Sequence, residues 1–336
     1  MKEGFKKKLI EVLSLALLLA GANVSLRYGL VEHTYADDYL KDLKTLEAHS
    51  SDIEMVFLGS SRTFHGFAPY VFDEILEGEA LNAGSALQST WGSYYALKDL
   101  LDRGFEPEYA ILGISYDLLT ADLSTQADLI VMDRLSVRNK IEYLANAYEA
   151  ENKLYALSKI YRYRTNFTRE RIKNNVSEKG QRKAAAASGQ PFVKEGEFYD
   201  GRGFVYSNNR FSDAAAAGSI GETQITEWRE AEIKQGRLDG LNALVRLCAD
   251  KGIELFFVDT PTTEYMLKQA STYDAANAWW EDYCVSNGIE YLNYNYIEKK
   301  DELFPDELFM DYNHLNGVGA EVFSRLCAED IRRFIR

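Results

Sequence analysis

The 336-residue sequence contains only three cysteines, Cys248, Cys284 and Cys327, and their odd number and wide spacing exclude a closed disulfide framework. It contains neither a Cys-x-x-Cys nor a His-x-x-x-His pair, so a structural zinc site has no support in the sequence. Each cysteine lies in a stretch with helical periodicity, which favours a buried thiol over a catalytic one.

The motifs of nucleotide-binding domains are also absent. Neither Gly-x-Gly-x-x-Gly nor Gly-x-x-x-x-Gly-Lys-Ser/Thr occurs in the sequence. The net charge is −14, so the chain lacks the basic surface that nucleic-acid binding requires. No metal, cofactor or nucleic-acid partner is therefore expected. The 46% of hydrophobic residues is sufficient for a full core, which excludes global disorder.

The first 26 residues have the order of a secretory signal. Four lysines precede the apolar stretch Val12–Ala20, and Ala20-Gly21-Ala22 fits a cleavage site. The stretch Leu9–Leu26 is also nearly long enough to span a bilayer, so a retained membrane anchor is the alternative. Both interpretations place the bulk of the chain outside the cytoplasm. Residues 27–50 are interpreted as a linker.

From residue 51 onward, short apolar runs alternate with helical patterns, which is typical of a parallel sheet with crossover helices. We expect one α/β domain over residues 51–336, a doubly wound, flavodoxin-like sandwich around a five-stranded parallel sheet. The predicted strands are Met55–Leu58, Ala80–Asn82, Tyr109–Ile114, Ile253–Val258 and Ile289–Leu292. The predicted helices are Tyr70–Leu76, Ser89–Arg103, Thr226–Lys251, Glu264–Asn287 and Gly317–Ile335.

Residues 120–222 form an insertion after the third strand, because the segment is too long for a bare crossover. The insertion begins with a helical pattern, and we expect it to be largely helical. The pair Asp200-Gly201, between aromatic and β-branched residues, predicts a β-hairpin over Glu197–Tyr206. The runs Ala184–Ser188 and Ala214–Gly218 are equally compatible with flexible joints and with helix.

A basic stretch within the insertion contrasts with the acidic chain. Lys159 to Lys183 holds nine Lys and Arg residues against two Glu. A solvated helix face would explain this pattern, and so would contact with anionic lipid headgroups or with an anionic wall polymer. Both interpretations stay open.

The tripeptide Gly59-Ser60-Ser61 follows an apolar strand and opens a helical region. Ser61 would then present its hydroxyl at the carboxyl edge of the sheet, where amides at the helix start face developing negative charge. An acyl-transfer nucleophile needs this environment. The same tripeptide is common in loops and helix caps, so on its own it decides nothing.

A second fragment, Asp311-x-x-His314, lies near the other end of the sequence. A serine becomes a good nucleophile when a base takes its proton, and a third group must fix the tautomer of that base. His314 and Asp311 have the right chemistry for these two roles. An Asp-x-x-His pair is also compatible with a metal site or a helix cap.

Both fragments follow predicted strands and therefore lie at one edge of the sheet. Ligands of open α/β sheets bind outside the carboxyl ends of the strands. Other polar clusters follow strands at the same edge, and we expect them to line one cleft. They are Asn82-Ala83-Gly84-Ser85, Ser115-Tyr116-Asp117 and Asp259-Thr260-Pro261-Thr262-Thr263.

In these fragments the sequence resembles the SGNH (GDSL-like) hydrolases and acyltransferases. Gly59-Ser60-Ser61 is similar to the first block of that family, with Ser60 in place of the usual aspartate. The same replacement is typical of relatives of the teichoic-acid D-alanyl-transfer protein and of the alginate-acetylation proteins. Asp311-x-x-His314 matches the last block, and Asn82-Ala83-Gly84 is similar to the second.

The resemblance covers residues 54–117 and 250–336 and leaves the insertion unexplained. It implies the SGNH fold and a catalytic triad of Ser61, His314 and Asp311. It also implies that the amides of Ser61 and Gly84 line an oxyanion hole.

The third block departs from the family pattern. Its usual Gly-x-Asn-Asp contains an asparagine that donates to the oxyanion, whereas Gly113-Ile114-Ser115-Tyr116-Asp117 contains none. Ser115 or Tyr116 would have to donate instead, or Arg62 together with backbone amides. Loss of one such donor typically costs about 10²–10³-fold in rate.

His65 is a rival base, because it follows Ser61 by four residues and would share its helix face. It has no acidic neighbour in the sequence placed to fix its tautomer, which favours His314. His33 and His49 are expected at the surface.

The sequence thus predicts an extracytoplasmic serine esterase or O-acyltransferase that acts on an envelope polysaccharide or polymer. We expect this protein either to be anchored to the membrane by its N-terminal segment or to be secreted after cleavage of that segment. The alternative is an inactive SGNH scaffold that binds an envelope glycan or a membrane partner. The missing asparagine of the third block and the basic insertion motivate this alternative.

Overall fold

A computed structural model describes residues 14, 21–76, 78–121, 125–146, 153–211 and 227–335 of the chain. Most of the apolar stretch Val12–Ala20 lies outside the described residues, as do the run Ala214–Gly218 and Thr226. Among the described residues, no helix combines the length and the apolar character needed to cross a membrane.

The core of the fold is a five-stranded parallel sheet, as predicted. Its strands lie in the order β2-β1-β3-β6-β7. Strands β4 and β5 pair with each other in an antiparallel hairpin. The seven strands are β1 (Ile53–Gly59), β2 (Glu79–Asn82), β3 (Tyr109–Ile114), β4 (Glu197–Gly201), β5 (Phe204–Ser207), β6 (Glu254–Asp259) and β7 (Glu290–Asn293).

Fifteen described helices accompany the strands. In chain order they are α1 (21–30), α2 (Tyr35–Leu46), α3 (Ser61–Gly66), α4 (Pro69–Leu76), α5 (Thr90–Asp102), α6 (Thr125–Met132), α7 (Val137–Asn146), α8 (Leu154–Leu157), α9 (Lys159–Tyr163), α10 (Arg169–Ala187), α11 (Gln235–Lys251), α12 (Glu264–Gln269), α13 (Tyr273–Asn287), α14 (Lys300–Leu303) and α15 (Gly317–Ile331).

The central strands are apolar on both faces, which is why they appear in the sequence as continuous apolar runs. Alternate side chains of β3 illustrate this, because Leu112 and Ile111 belong to two separate core clusters. Helices α2, α5, α11 and α13 pack on the Leu112 face, and α4 and α15 pack on the Ile111 face. All three cysteines are free and buried in these clusters, as predicted.

Two predicted helices differ from the structure. The helix predicted from Thr226 begins only at Gln235. The helix predicted over Glu264–Asn287 is two helices, α12 and α13, separated by Ala270–Thr272. The hydroxyl of Thr272 accepts a hydrogen bond from the backbone N–H of Trp228 at 2.6 Å, a contact between distant segments that the local pattern does not contain.

Residues 27–50 are not the linker that the sequence suggested. They include the last turn of α1 and the whole of α2. Tyr39 and Leu43 of α2 are buried in the same core cluster as Leu112. Tyr39 and Leu43 are four residues apart, which is the spacing of one helix face, but the many charged residues around them make this pattern hard to recognise in the sequence.

The hairpin of β4 and β5 forms where it was predicted, but its turn lies at Arg202-Gly203 rather than at Asp200-Gly201. Both turn residues have positive φ angles, 46° and 83°, as two-residue hairpin turns of type I′ require. The carboxylate of Asp42 in α2 holds the turn by accepting hydrogen bonds from the Arg202 amide and the Tyr199 hydroxyl, each at 2.8 Å.

The described residues divide into two compact units. One consists of 21–34 and 153–192, and the other of 35–146 together with 193–211 and 227–335. The predicted insertion is therefore not a single piece. Its helices α8, α9 and α10 belong to the first unit, whereas α6, α7 and the hairpin belong to the second.

Candidate active site

Ser61 is half-buried at the first position of α3, directly after the central strand β1. The connection passes through Gly59, whose φ angle is +134°. A Cβ atom on Gly59 would lie 2.4 Å from Oγ1 of Thr63 and 2.5 Å from the carbonyl oxygen of Gly113. Only glycine fits here, and this close packing of the backbone sets the position of Ser61 over the end of the sheet.

The structure brings Ser61 together with His314 and Asp311. The distance between Ser61 Oγ and His314 Nε2 is 2.7 Å, although the two residues are 253 positions apart in the sequence. On the other side of the ring, His314 Nδ1 lies 2.8 Å from Asp311 Oδ2. The side chains of His314 and Asp311 are 20% and 40% exposed, so solvent reaches this group.

Asp311 is held as a carboxylate that accepts hydrogen bonds. Burial raises its pKa, but the hydrogen bond and charge of His314 and the amides of Asn313 and His314 outweigh burial, and the pKa lies below the usual value. Both amides donate to Asp311 Oδ1 at 2.8 Å. An ionised Asp311 keeps the ring proton of His314 on Nδ1, so Nε2 can accept the proton of Ser61.

The loop that carries these two residues is anchored to the end of β6. The hydroxyls of Thr262 and Thr263 donate to the carbonyl oxygen of Tyr312, at 3.1 and 2.7 Å. Phe309 and Leu315 form a β-bridge that closes the loop. The threonines belong to one of the polar clusters predicted to line the cleft, and their contribution is to position the loop.

Two of the three predicted oxyanion donors have hydrogen-bond partners within the protein. The amide of Gly84 donates to Oδ1 of Asn82 at 3.0 Å, and the hydroxyl of Ser115 donates to Oδ1 of Asp117 at 2.8 Å. The amide of Ser61 lies at the start of α3, where the helix supplies no acceptor. The roles of Gly84 and Ser115 in an oxyanion hole thus stay predictions, and each requires the present bond to open.

Arg62 and Tyr116, the substitutes considered for the missing asparagine, are both buried. The guanidinium of Arg62 forms an ion pair with Asp259 at 2.9 Å and donates to the carbonyl oxygen of Thr260. Burial raises the pKa of Asp259, and the Arg62 charge and the hydroxyl of Tyr273 act against that rise. Arg62 therefore ties α3 to the end of β6.

His65 does not contact Ser61 in place of His314. Its Nδ1 lies 2.9 Å from the carbonyl oxygen of Val205 in the hairpin, so Nδ1 carries the proton. Its Nε2 lies 4.0 Å from Oε1 of Glu197. Burial, followed by the charge of His314, lowers the pKa of His65 to about 3. His65 is therefore a neutral, buried contact between α3 and the hairpin.

Glu197 is a residue near the site that the sequence analysis missed. Burial raises its pKa, while the charge of His314 and the hydroxyl of Tyr35 lower it. No local motif marks Glu197. The hairpin that carries it lies more than 130 residues from Ser61 in the sequence, so it reaches the site only through tertiary contacts.

Asn82 joins the turn after β2 to α3. Its side-chain amide donates to the carbonyl oxygens of Thr63 and Phe67, each at 2.9 Å. Its neighbour Gly84 accepts a hydrogen bond at its carbonyl oxygen from the buried guanidinium of Arg134 in the segment after α6. Within the described ranges, no group of three or more His, Cys, Asp or Glu side chains is arranged to hold a metal ion.

Solved structures that resemble the chain include a GDSL-like lipase from Bacteroides thetaiotaomicron, with 10% identity, a TM-score of 0.39 and coverage of 90% of this chain and 100% of that one. An acetyl xylan esterase has 12% identity and a TM-score of 0.38, with coverage of 84% of this chain and 100% of that one. The first carries the family name that the sequence motifs suggested. No family model and no curated protein sequence matches the chain. At these identities and TM-scores the likeness decides neither activity nor substrate.

Proposed function

We propose that the chain is an SGNH-type serine esterase or O-acyltransferase, with Ser61 as nucleophile, His314 as base and Asp311 as the group that orients the base. The observation that carries the proposal is the continuous contact from Ser61 Oγ to His314 Nε2 at 2.7 Å and from His314 Nδ1 to Asp311 Oδ2 at 2.8 Å. These distances are those of hydrogen bonds between activated nucleophile, base and orienting acid.

In the proposed reaction, Ser61 Oγ attacks the carbonyl carbon of an ester as its proton passes to His314 Nε2. The ionised Asp311 stabilises the resulting imidazolium. The tetrahedral intermediate expels the alcohol, which takes the proton from His314 and leaves an acyl group on Ser61. A water molecule or an acceptor hydroxyl then gives its proton to His314 and attacks the acyl-enzyme. The second tetrahedral intermediate expels Ser61 Oγ, which takes the proton back from His314, and the acyl group leaves on the water or the acceptor.

The oxyanion of each tetrahedral intermediate needs donors that point toward it. The Ser61 amide is one, because α3 provides no acceptor for it. The Gly84 amide becomes a second when it exchanges Asn82 Oδ1 for the oxyanion, and the Ser115 hydroxyl becomes a third when it releases Asp117. The first exchange replaces the neutral amide oxygen of Asn82 by a full charge, which gives the stronger bond. The second replaces one anionic acceptor, the Asp117 carboxylate, by another.

The substrate that we propose is an acyl group on a cell-envelope polysaccharide or polymer. The support is the order of the N-terminal sequence, in which lysines precede an apolar stretch and predict export. The exposure of His314 and Asp311 supports an acceptor or leaving group that is part of a large molecule, since such a group must reach the base from outside.

A second candidate is an inactive scaffold that binds an envelope glycan or a membrane partner. The observation that favours it is that two of the predicted oxyanion donors, the Gly84 amide and the Ser115 hydroxyl, already donate to acceptors within the protein. A site in which these bonds never open would retain the Ser61, His314 and Asp311 geometry without stabilising an oxyanion.

The test is covalent labelling of the full chain with a fluorophosphonate probe. We expect the wild type to be labelled, Ser61→Ala to lose labelling completely, and His314→Asn to be labelled about 10²–10⁴-fold more slowly because the base is missing. Ser60→Ala is the matched control. Ser60 is the neighbouring serine, its side chain makes no cap hydrogen bond, and its removal should leave the labelling rate unchanged.

Two results would count against the mechanism. Undiminished labelling of Ser61→Ala would show that another residue is the nucleophile. A folded wild type that no probe labels would favour the inactive scaffold.

A further inference from the structure

The unit formed by residues 21–34 and 153–192, here the basic unit, has a charge opposite to that of the chain. It contains eleven Lys and Arg residues and three Glu residues, while the whole chain has a net charge of −14. Two of the glutamates are already neutralised inside the unit. Glu32 pairs with Arg171 at 2.8 Å, and Glu178 pairs with Arg182 at 3.0 Å.

The basic unit is held together at the end of α1. The ammonium group of Lys179 donates to the carbonyl oxygens of Tyr28 and Val31, each at 2.6 Å. The side-chain amide of Asn175 donates to the carbonyl oxygen of Gly29 at 2.9 Å. A cation at the C-terminal carbonyls of a helix offsets the negative end of its dipole, so α10 fixes the last turn of α1.

This contact leaves the other side of α10 to solvent. Arg171, Asn175 and Lys179 contact the last turn of α1 and the residues directly after it, whereas Arg169, Lys173 and Lys183 are exposed. Only Asn175 of the nineteen residues of α10 is buried. Most of the helix is therefore exposed, and its exposed residues include cations.

Exposed apolar side chains accompany these cations. Leu154 and Leu157 of α8 are 52% and 56% exposed, and Phe167, which precedes α10, is 60% exposed. Cationic side chains in one unit with exposed leucine and phenylalanine are typical of proteins that lie in the headgroup region of a bilayer, where phosphates meet acyl chains.

The position of α1 in the sequence favours the same partner. Toward the N-terminus of the turn held by Lys179, α1 exposes Val24 and Leu26, at 67% and 40%. The sequence before them contains the apolar stretch Val12–Ala20. Gly21, the first described residue of α1, directly follows this stretch in the sequence, and a helix rises about 1.5 Å per residue, so the turn held by Lys179 lies about 10 Å along α1 from that point.

We propose that the basic unit binds the surface of a bilayer that contains anionic phospholipids. Arg169, Lys173 and Lys183 contact the lipid phosphates, and Leu154, Leu157 and Phe167 enter the boundary between headgroups and acyl chains. The net positive charge of the unit is complementary to such a surface. This binding is separate from the chemistry proposed for Ser61.

The test compares the full chain on phosphatidylcholine vesicles with and without phosphatidylglycerol, by flotation. We expect the wild type to prefer the anionic vesicles and to lose this preference as the salt concentration rises, since salt screens exposed charges. The combined variant Arg169→Glu, Lys173→Glu and Lys183→Glu should bind anionic vesicles about 100-fold more weakly or worse, because each cation near a charged bilayer strengthens binding several-fold.

The matched control is Lys41→Glu, Lys44→Glu and Lys251→Glu. It changes the net charge by the same amount at exposed lysines of the other unit, and its vesicle binding should stay close to that of the wild type. Fluorophosphonate labelling of each variant checks that the Ser61 site is intact, so a failure of lipid binding and a failure of the proposed catalysis give different results.

Three outcomes would overturn the proposal. The first is equal wild-type binding to neutral and anionic vesicles. The second is undiminished binding of the reversed variant to anionic vesicles. The third is retention of the wild type on an anionic wall polymer with no preference for anionic lipid, which would assign the same cations to that polymer. If the reversed variant does not fold, wild-type binding that is insensitive to salt still contradicts the proposal.

Discussion

His65 is a buried, neutral imidazole placed 6.0 Å from the ring of His314, measured between ring centroids. Its side chain is about 5% exposed, and its Nδ1–H donates to the carbonyl oxygen of Val205. Burial first, and the charge of His314 second, lower its pKa to about 3 from an ordinary 6.5. A second positive charge so close to the proposed base would oppose protonation of His314, so the neutrality of His65 favours base catalysis.

The lowered pKa of His65 predicts a loss of stability in acid. Between pH 6.5 and 3 the unfolded chain binds a proton at His65 and the folded chain does not, so the unfolding free energy falls as the pH falls through this window. The slope from this one group approaches about 1.4 kcal/mol per pH unit. We expect His65→Gln, which retains a donor for Val205, to reduce the slope in urea titrations by about that amount.

His49→Gln is the control for that measurement, because the side chain of His49 is 73% exposed. It should leave the slope unchanged. A His65→Gln variant with the slope of the wild type would mean that burial does not keep His65 neutral.

Residue-scale prediction from the sequence succeeded where the chemistry is local. Asp311 and His314 are three residues apart, and their contact follows from the spacing. The partners of His65 were not predictable, because Val205 follows it by 140 residues and belongs to a segment that resembles none of the family's blocks. The bond from Gly84 to Asn82 depends on side-chain torsions that no spacing specifies.

At the scale of elements, the hairpin of β4 and β5 holds two elements that flank the site in position. Its Arg202 carbonyl accepts a hydrogen bond from the Asn82 amide at 2.9 Å. At the other end, the ring of Tyr206 packs so closely on Gly317 that a Cβ atom there would lie 2.2 Å from it. The hairpin thus fixes the end of β2 and the start of α15, which flank Ser61 and His314.

Gly203 is where the hairpin approaches the end of β2 most closely. Its φ angle is +83°, and a Cβ atom would lie 1.7 Å from the carbonyl oxygen of Asn82. We expect Gly203→Ala to lower the free energy of unfolding by about 2 to 4 kcal/mol, from backbone strain and overpacking together. Fluorophosphonate labelling should slow as well, because the hairpin must move away from Asn82 and carries the acceptor of His65 with it.

Gly189→Ala separates the cost of backbone strain from the cost of overpacking. Gly189 also has a positive φ angle, +67°, but no atom lies within 4 Å of the added Cβ. It should cost about 1 kcal/mol by strain alone and leave labelling unchanged. Equal costs for the two variants in urea titrations would show that the close approach to Asn82 contributes nothing.

The elements themselves were predictable when their pattern is set by burial alone. Strand β3 has the predicted bounds, Tyr109–Ile114, because both of its faces are covered and the run is uniformly apolar. The break between α12 and α13 was missed, because it depends on the contact between Thr272 and Trp228, which is tertiary. The hairpin turn shifted because Gly201 and Gly203 satisfy the local turn rule equally well.

At the scale of the whole molecule, burial is distributed unevenly between the two units. The core clusters of the sheet lie entirely within the unit that carries Ser61. The division into units could not be predicted, because it depends on contacts between 21–34 and 153–192, such as that of Asn175 with Gly29, across 146 positions. The alternation of apolar runs and helices predicted the five-stranded parallel sheet but not the order of its strands.

This distribution predicts unequal local stability. Helix α10 buries one of its 19 residues, whereas α11, which has 17 residues, buries four. Local opening is easiest where few side chains are buried, so amides of α10 should exchange with deuterium faster than those of α11. Mass spectrometry of peptic peptides measures this on the wild type without any substitution. Slower exchange in α10 would mean that its contacts with α1 stabilise it more than burial indicates.

The 253 positions between Ser61 and His314 also govern when the site can exist. Ser61 is synthesised early and takes its position once β1 and α3 form. The proposed base, His314, is synthesised later, in the loop before α15. Until that loop closes on Thr262 and Thr263, the serine is an ordinary alcohol. On the proposed mechanism, the nascent chain therefore stays unreactive toward esters until the loop before α15 has been synthesised and has closed on these threonines.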